Sequence, residues 1–110
     1  MEIRRGDIVI AAGPDEHTGK PRPFLIVQSD VFNDVHASMT SCPIARATGG
    51  NLLFRVSLPA SDETGLLLAS EVQADKMISI RRERIIRRIG AAPITTMTSV
   101  DDALRRWLEL

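Results

Sequence analysis

The sequence predicts a mainly β protein: a small, twisted antiparallel β-barrel or half-barrel closed by one C-terminal α-helix. Three observations predict it. The apolar runs are short and separated by clusters of Gly, Pro, Asp, Asn and Ser, the punctuation of turns between strands. Residues 52–58, "LLFRVSL", alternate, with Leu52, Phe54, Val56 and Leu58 on one face and Arg55 and Ser57 on the other. Helical periodicity is clear only beyond Pro93, so a βαβ arrangement is not expected.

The elements follow in order. "DIVIAA" (7–12) reads as the first strand, and "GPDEHTGKP" (13–21) as a turn-rich polar loop. Strand two starts at about Phe24, where Phe24-Leu25-Ile26-Val27 has the continuous apolar character of a strand buried on both faces. After the loop "NDVHAS", "MTSCPI" (39–44) is a third strand. Pro43 lacks an N–H to donate, which places this strand at an edge or ends it. "ARATGGN" is a loop, "LLFRVSL" the next strand and "PASDETG" another turn. "LLLASEVQADKMISI" (66–80) carries strand material broken near Ala74-Asp75-Lys76. "IIRRIG" fits a strand, yet Ile85 and Ile89 also satisfy helical spacing. Pro93 suits a first helical turn. Met97, Val100, Leu104, Trp107 and Leu108 then form an apolar stripe, with Asp101 and Asp102 set to pair with Arg105 and Arg106.

No repeat, linker or low-complexity tract divides the chain, and its 110 residues suit a single domain spanning 1–110. Hydrophobic content of 44% and charge of 25% are those of a globular protein. No apolar run is long enough to cross a membrane, and the first residues lack the apolar segment of a signal peptide. A lone cysteine, Cys42, excludes an internal disulfide, fits a reducing cytoplasm and reads as a small buried apolar residue. His17 and His36 do not make a zinc site, so neither metal nor cofactor is expected.

Net charge is zero, but all the basic residues except Lys20 and Lys76 are arginine, the residue suited to bidentate phosphate contacts. "RRERIIRR" (81–88) concentrates them, and such a patch can attract a polyanion even on a neutral protein; a solvated face explains it equally well. Arg22 stands apart from that patch. Pro21 and Pro23 lock their own φ and hold Arg22 extended, so a guanidinium is presented from a stiff strand entry.

Together, "RRGDIVIA", "GKPRPFLIVQSDVFN", "SCPI", "LFRVSL", "TGL" with "SEVQADKMISI", "RIG" and the terminal amphipathic helix resemble the MazF/PemK family of type II toxin–antitoxin toxins over nearly the whole chain. The resemblance implies an SH3-like barrel and a homodimer. It implies a cytoplasmic, metal-independent endoribonuclease that cleaves single-stranded mRNA at short motifs and is held inactive by a cognate antitoxin. Arg22 matches the family's catalytic arginine. RNA cleavage by its own 2′-hydroxyl passes through a phosphorane of added negative charge, which a preorganised cation stabilises more than the ground state.

One departure matters. Where the family usually has a catalytic threonine after "CPI", this chain has Ala45, followed by Arg46. Thr48 is the first candidate to supply the missing hydroxyl, ahead of Ser41 and Thr40. His17 is a candidate proton acceptor near pH 7. Lys20, Arg46, Ser41, Glu71 and Lys76 are candidate RNA-binding residues, and Trp107 reads as core or antitoxin-facing. Two alternatives remain at this point: a gyrase-poisoning binding protein of the related CcdB type, for which Trp107 near the C-terminus speaks, and a catalytically impaired member that retains antitoxin or RNA binding.

Overall fold

The structure, a computed structural model, describes residues 1–12, 20–50 and 53–110. The strands are β1 (Asp7–Ala12), β2 (Pro21–Ile26), β3 (Ser38–Arg46), β4 (Arg55–Leu58), β5 (Ser70–Gln73), β6 (Ile78–Arg81) and β7 (Ile85–Ala91). The helices are α1 (Asp30–Asn33) and α2 (Ile94–Leu108), and single 3₁₀ turns at Ala74–Lys76 and Arg82–Arg84 flank β6.

All pairings are antiparallel, in the order β4-β5-β3-β2-β1-β7, with β6 also on β3. The nine-residue β3 serves both halves. Its first residues pair with β6 and its last with β5, so the sheet curls into a half-barrel. Because side chains alternate across a strand, the sheet buries two faces. Ile8, Leu25, Cys42, Leu58 and Val72 pack on one, against Val100 of α2. Val9, Phe24, Ile26, Met39 and Ile80 pack on the other, with Ile3. Double burial explains why Phe24–Val27 is apolar without alternation, as expected.

Pro43 lies inside a central strand, contrary to the edge expectation. It stands opposite Phe24 of β2. On the other flank it falls between Ser41, the last partner of β6, and Ile44, the first of β5. The missing N–H therefore coincides with a break in the ladder. Strand β2 begins at Pro21 and β3 runs to Arg46, so Arg22, Ala45 and Arg46 are strand residues. "IIRRIG" is strand, and β4 begins only at Arg55; Leu52 lies outside the described residues.

Helix α2 buries Thr96, Val100 and Ala103, with Met97 and Leu104 half-buried; Trp107 and Leu108 are exposed. Burying Val100 contributes about 2 kcal/mol. Asp102 pairs with Arg105 at 3.2 Å, one residue closer than the four-residue spacing expected, whereas Asp101 pairs with Arg5 across the fold. The 3₁₀ turn at Ala74–Lys76 matches the predicted break.

Two of the quoted motifs are scaffolding. Gly6, at φ +93°, donates to the Ile26 carbonyl at 2.8 Å and accepts from Ala92 N–H. Arg5 donates through Nε to the Val27 carbonyl at 3.0 Å, and its backbone N–H donates to Asp30 Oδ1 at 2.7 Å. That bond, with the Asn33 amide at 2.9 Å, lowers the Asp30 pKa from its ordinary value. Gln28 Oε1 accepts from Thr40 N–H, and Gln28 Nε2 donates to the buried Asn33. "RRGD" and "QSDVFN" thus buckle β1, β2, β3 and α1 together at the end of the sheet away from Arg22.

Candidate functional site

At the opposite end of the sheet lies a cleft of about 590 Å³. Its floor is Ile10 of β1, Pro23 of β2 and Ile44 of β3, and its far wall is the segment Gly65–Leu68 with Ser70. Three arginines line it: Arg22 from β2, Arg46 from the end of β3 and Arg87 from β7. No carboxylate is among its described lining residues.

Strand register sets the neighbours of each arginine, with Arg22 one residue out of step from the row of Arg87. Ile10 faces Pro23 on one side and Arg87 on the other, and Ala11 faces Arg22. Phe24 faces Pro43, so continuing that register by two residues sets Ala45 across from Arg22; both line the cleft. Arg46 is opposite Ser70. The far wall is pinned to β7. Gly65, at φ +71°, abuts the backbone of Ile89, and Ala91 N–H donates to the Glu63 carbonyl at 2.9 Å. Buried Thr64 braces the turn, its hydroxyl donating to the Pro59 carbonyl at 2.8 Å.

Among the described residues Arg22, Arg46 and Arg87 have neither an ion pair nor a hydrogen-bond partner. The other arginines are engaged within the chain. Arg55 is held by Asp75, Arg88 by Asp7 at 3.0 Å, Arg82 by the Asn33 carbonyl and Arg106 by the Leu53 carbonyl at 2.8 Å. The guanidinia without a partner among the described residues are thus all gathered in one cleft, where they create a field suited to an anion with several acceptor oxygens.

Not every expected residue joins them. Thr48 is exposed but does not line the cleft; its hydroxyl donates to Glu71 Oε1 at 3.3 Å. Glu71 is buried, with Arg55 Nε 4.0 Å away, so its carboxylate organises β3, β4 and β5 instead of facing solvent. Ser41 is fully buried and donates to the Met39 carbonyl at 3.1 Å. Lys20 and Lys76 are exposed outside the cleft lining. His17 lies outside the described residues. Cys42 is buried as expected, which pushes its thiol pKa up to about 12. Trp107 meets the Phe54 ring edge-on, with centroids 5.2 Å apart. Among the described residues, no three His, Cys, Asp or Glu side chains group as metal ligands.

Arg87 was read only as part of the 81–88 patch, and Ser70 was not singled out. The Arg87-Arg88 doublet held a signal: consecutive strand residues face opposite ways, so one of the pair had to leave the face of the other.

The family model of PemK-like, MazF-like toxins of type II toxin–antitoxin systems matches residues 4–108. A probable endoribonuclease MazF from Mycolicibacterium smegmatis is 38% identical over 102 residues, covering 93% of each chain. Endoribonuclease MazF6 from Mycobacterium tuberculosis is 34% identical over the whole of both chains. Among solved structures, the Mycobacterium tuberculosis toxin MazF-mt6 superposes with TM-score 0.80 at 26% identity, covering 94% of this chain and 97% of that one. A MazE–MazF crystal structure from Deinococcus radiodurans gives 0.81 at 27% identity, covering 100% and 99%.

Proposed function

This chain belongs to the family of PemK-like, MazF-like toxins of type II toxin–antitoxin systems, and we propose that its arginine cleft is the active site of an endoribonuclease. The observation that carries the reading is the gathering, in one cleft, of three guanidinia that have no partner among the described residues, with no carboxylate among the described lining residues. The substrate is single-stranded RNA, cut at short motifs. Its 2′-hydroxyl attacks the adjacent phosphorus, and the 5′-oxygen leaves with a proton. Arg22, stiffened by Pro21 and Pro23 and fixed in the β1–β2 ladder, supplies countercharge to the phosphorane with little reorganisation. Arg46 assists from β3, and His17 accepts the 2′-proton. The charge is handled by guanidinia, without metal.

Ala45 lies in the strand row of Arg22 and offers no hydroxyl there. A serine, Ser70, faces Arg46 across the strands, but its Oγ donates to the Leu68 carbonyl at 2.8 Å.

The protein acts in the cytoplasm as a homodimer, and a cognate antitoxin silences it by laying acidic and apolar groups over the cleft; a partner of the MazE kind accompanies MazF in the Deinococcus radiodurans structure. No helix among the described residues is long and apolar enough to cross a membrane. The gyrase-poisoning alternative is not favoured: the curated relatives are named endoribonucleases, and the indole it would use packs edge-on with the Phe54 ring. The test is incubation of the protein and of Arg22→Ala with a long single-stranded RNA in EDTA. Discrete fragments from the parent, reduced about 10²-fold or more in rate by the substitution, support the reading. Equal cutting by both proteins would place the site elsewhere.

A further inference from the structure

We infer that Arg87 is a second phosphate anchor, binding the phosphate next to the scissile one on the wall opposite Arg22, and that it sets substrate affinity more than reaction rate. This rests on reading the cleft as an RNA site.

Arg87 and Arg88 are adjacent, yet Arg88 pairs with the buried Asp7 while Arg87 is exposed, lines the cleft and has no partner among the described residues. Two register shifts bracket them. Ala11 pairs with Ile85 and Ile10 with Arg87, leaving Ile86 extra; Val9 pairs with Arg88 and Ile8 with Gly90, leaving Ile89 extra. Bulges re-aim side chains and recur beside active sites. Here they bracket the one stretch of β7 that sends a guanidinium into the cleft.

The spacing then separates Arg87 from the reacting phosphate. Ile10 lies between Pro23 and Arg87 in one row across three strands. The backbones of β2 and β7 are therefore two strand spacings apart, roughly 10 Å. Two long side chains based that far apart reach different phosphates of one extended strand more readily than they crowd one. The far wall of the same cleft is apolar: Leu66, Leu67 and Leu68, with Leu67 94% exposed. An apolar lip in the same cleft as two cations offers a surface for a base beside sites for phosphate, the combination of base contact and backbone charge that binds single-stranded RNA.

The experiment uses the whole protein. Sites cut in a long single-stranded transcript are mapped, and one is made as a short oligoribonucleotide with every linkage charged. A matched set carries a neutral methylphosphonate at one flanking linkage at a time. On the charged oligonucleotide, Arg87→Ala should raise KM about tenfold or more, the scale of losing a charge-assisted hydrogen bond, with kcat within about twofold. The slope of log KM against log salt should fall by about 0.7, one phosphate contact on a single strand. At one flanking linkage, neutralisation should weaken the parent by a similar factor and leave Arg87→Ala no further loss. Arg87→Lys should recover much of the affinity, and Arg81→Ala, which removes an exposed arginine of the same cluster, should change little.

An unchanged KM overturns the inference, as does a loss that persists at every neutralised linkage. A fall in kcat at constant KM overturns it too, because Arg87 would then act on the scissile phosphate. If the parent cuts no RNA, the ribonuclease reading fails and this inference with it. If the parent cuts and Arg87→Ala matches it, only the inference fails.

Discussion

Replacing Gly65 with alanine tests whether the far wall of the cleft is held by close packing on β7. A Cβ at Gly65 would stand 2.8 Å from the carbonyl carbon of Ile89 and 3.2 Å from its Cβ, with the carbonyl oxygen closer still. Those are backbone and branched side-chain atoms of a paired strand, so the loop must give instead. Its φ of +71° adds the left-handed penalty of about 1–2 kcal/mol for any L side chain. Overpacking adds about 1–3 kcal/mol. The total, about 2–5 kcal/mol, is a large part of the about 5–15 kcal/mol that stabilises a domain. With a urea slope of about 1–3 kcal/mol per molar, the unfolding midpoint should fall by roughly 2 M. The same displacement moves Leu66–Leu68, so KM for RNA should rise even where the variant is fully folded. Gly90→Ala presses on Glu63 and Thr64 from the β7 side. One loop shift relieves both clashes, so the double variant should be less destabilised than the two singles added together. A Gly65→Ala protein within about 0.5 kcal/mol of the parent, the range of an innocuous surface change, would mean that the far wall is not held by close packing on β7.

Two further outcomes are expected. Thr48→Ala should slow cleavage by less than tenfold, since the Thr48 hydroxyl is bonded to Glu71 and lies outside the cleft lining; Ala45→Thr, which puts a hydroxyl in the row of Arg22, should raise the rate. Steady-state rates on one mapped RNA decide this, and a loss of about 10²-fold in Thr48→Ala would return that residue to the mechanism. Cys42 should resist iodoacetamide at pH 8 in the folded protein and react on unfolding. Its folded pKa, about 12, exceeds the unfolded value of about 8.5. The stability it contributes is therefore complete below about pH 8.5 and lost as pH rises from there toward 12. Urea midpoints should show that alkaline decline, and Cys42→Ala should lack this part of it.

The strands were legible where one physical cause dominated. "DIVIAA" coincides with β1, and the break at Ala74-Asp75-Lys76 is real, because alternation and turn residues act locally. The misreadings have tertiary causes. Pro43 looked like an edge because a proline removes a ladder bond; that two different strands share one flank of β3, leaving a gap at Pro43, depends on the curl of the whole sheet. Asp101 pairs with Arg5, a partner 96 positions away that no helical spacing encodes. At the site, Arg22 was legible because two prolines marked it. Arg87 was not, because its aim depends on bulges in β7 and its neighbours on the pairing of β1. Glu71 and Ser41 were misread for a common reason: polar residues on strands look solvent-facing until their partners, Arg55 with Thr48 and the Met39 carbonyl, are known.

Guanidinia in this cleft are proposed to promote attack of a 2′-hydroxyl on its own phosphodiester without metal. Mass spectrometry of the fragment ends, after the parent protein has acted on a long single-stranded RNA in EDTA, tests it most directly. The expected result is a 2′,3′-cyclic phosphate on one fragment and a 5′-hydroxyl on the next, with both lost in Arg22→Ala. Fragments that form only when magnesium is added, or that carry 3′-hydroxyl and 5′-phosphate ends, would contradict it, because water and not the 2′-oxygen would then be the nucleophile.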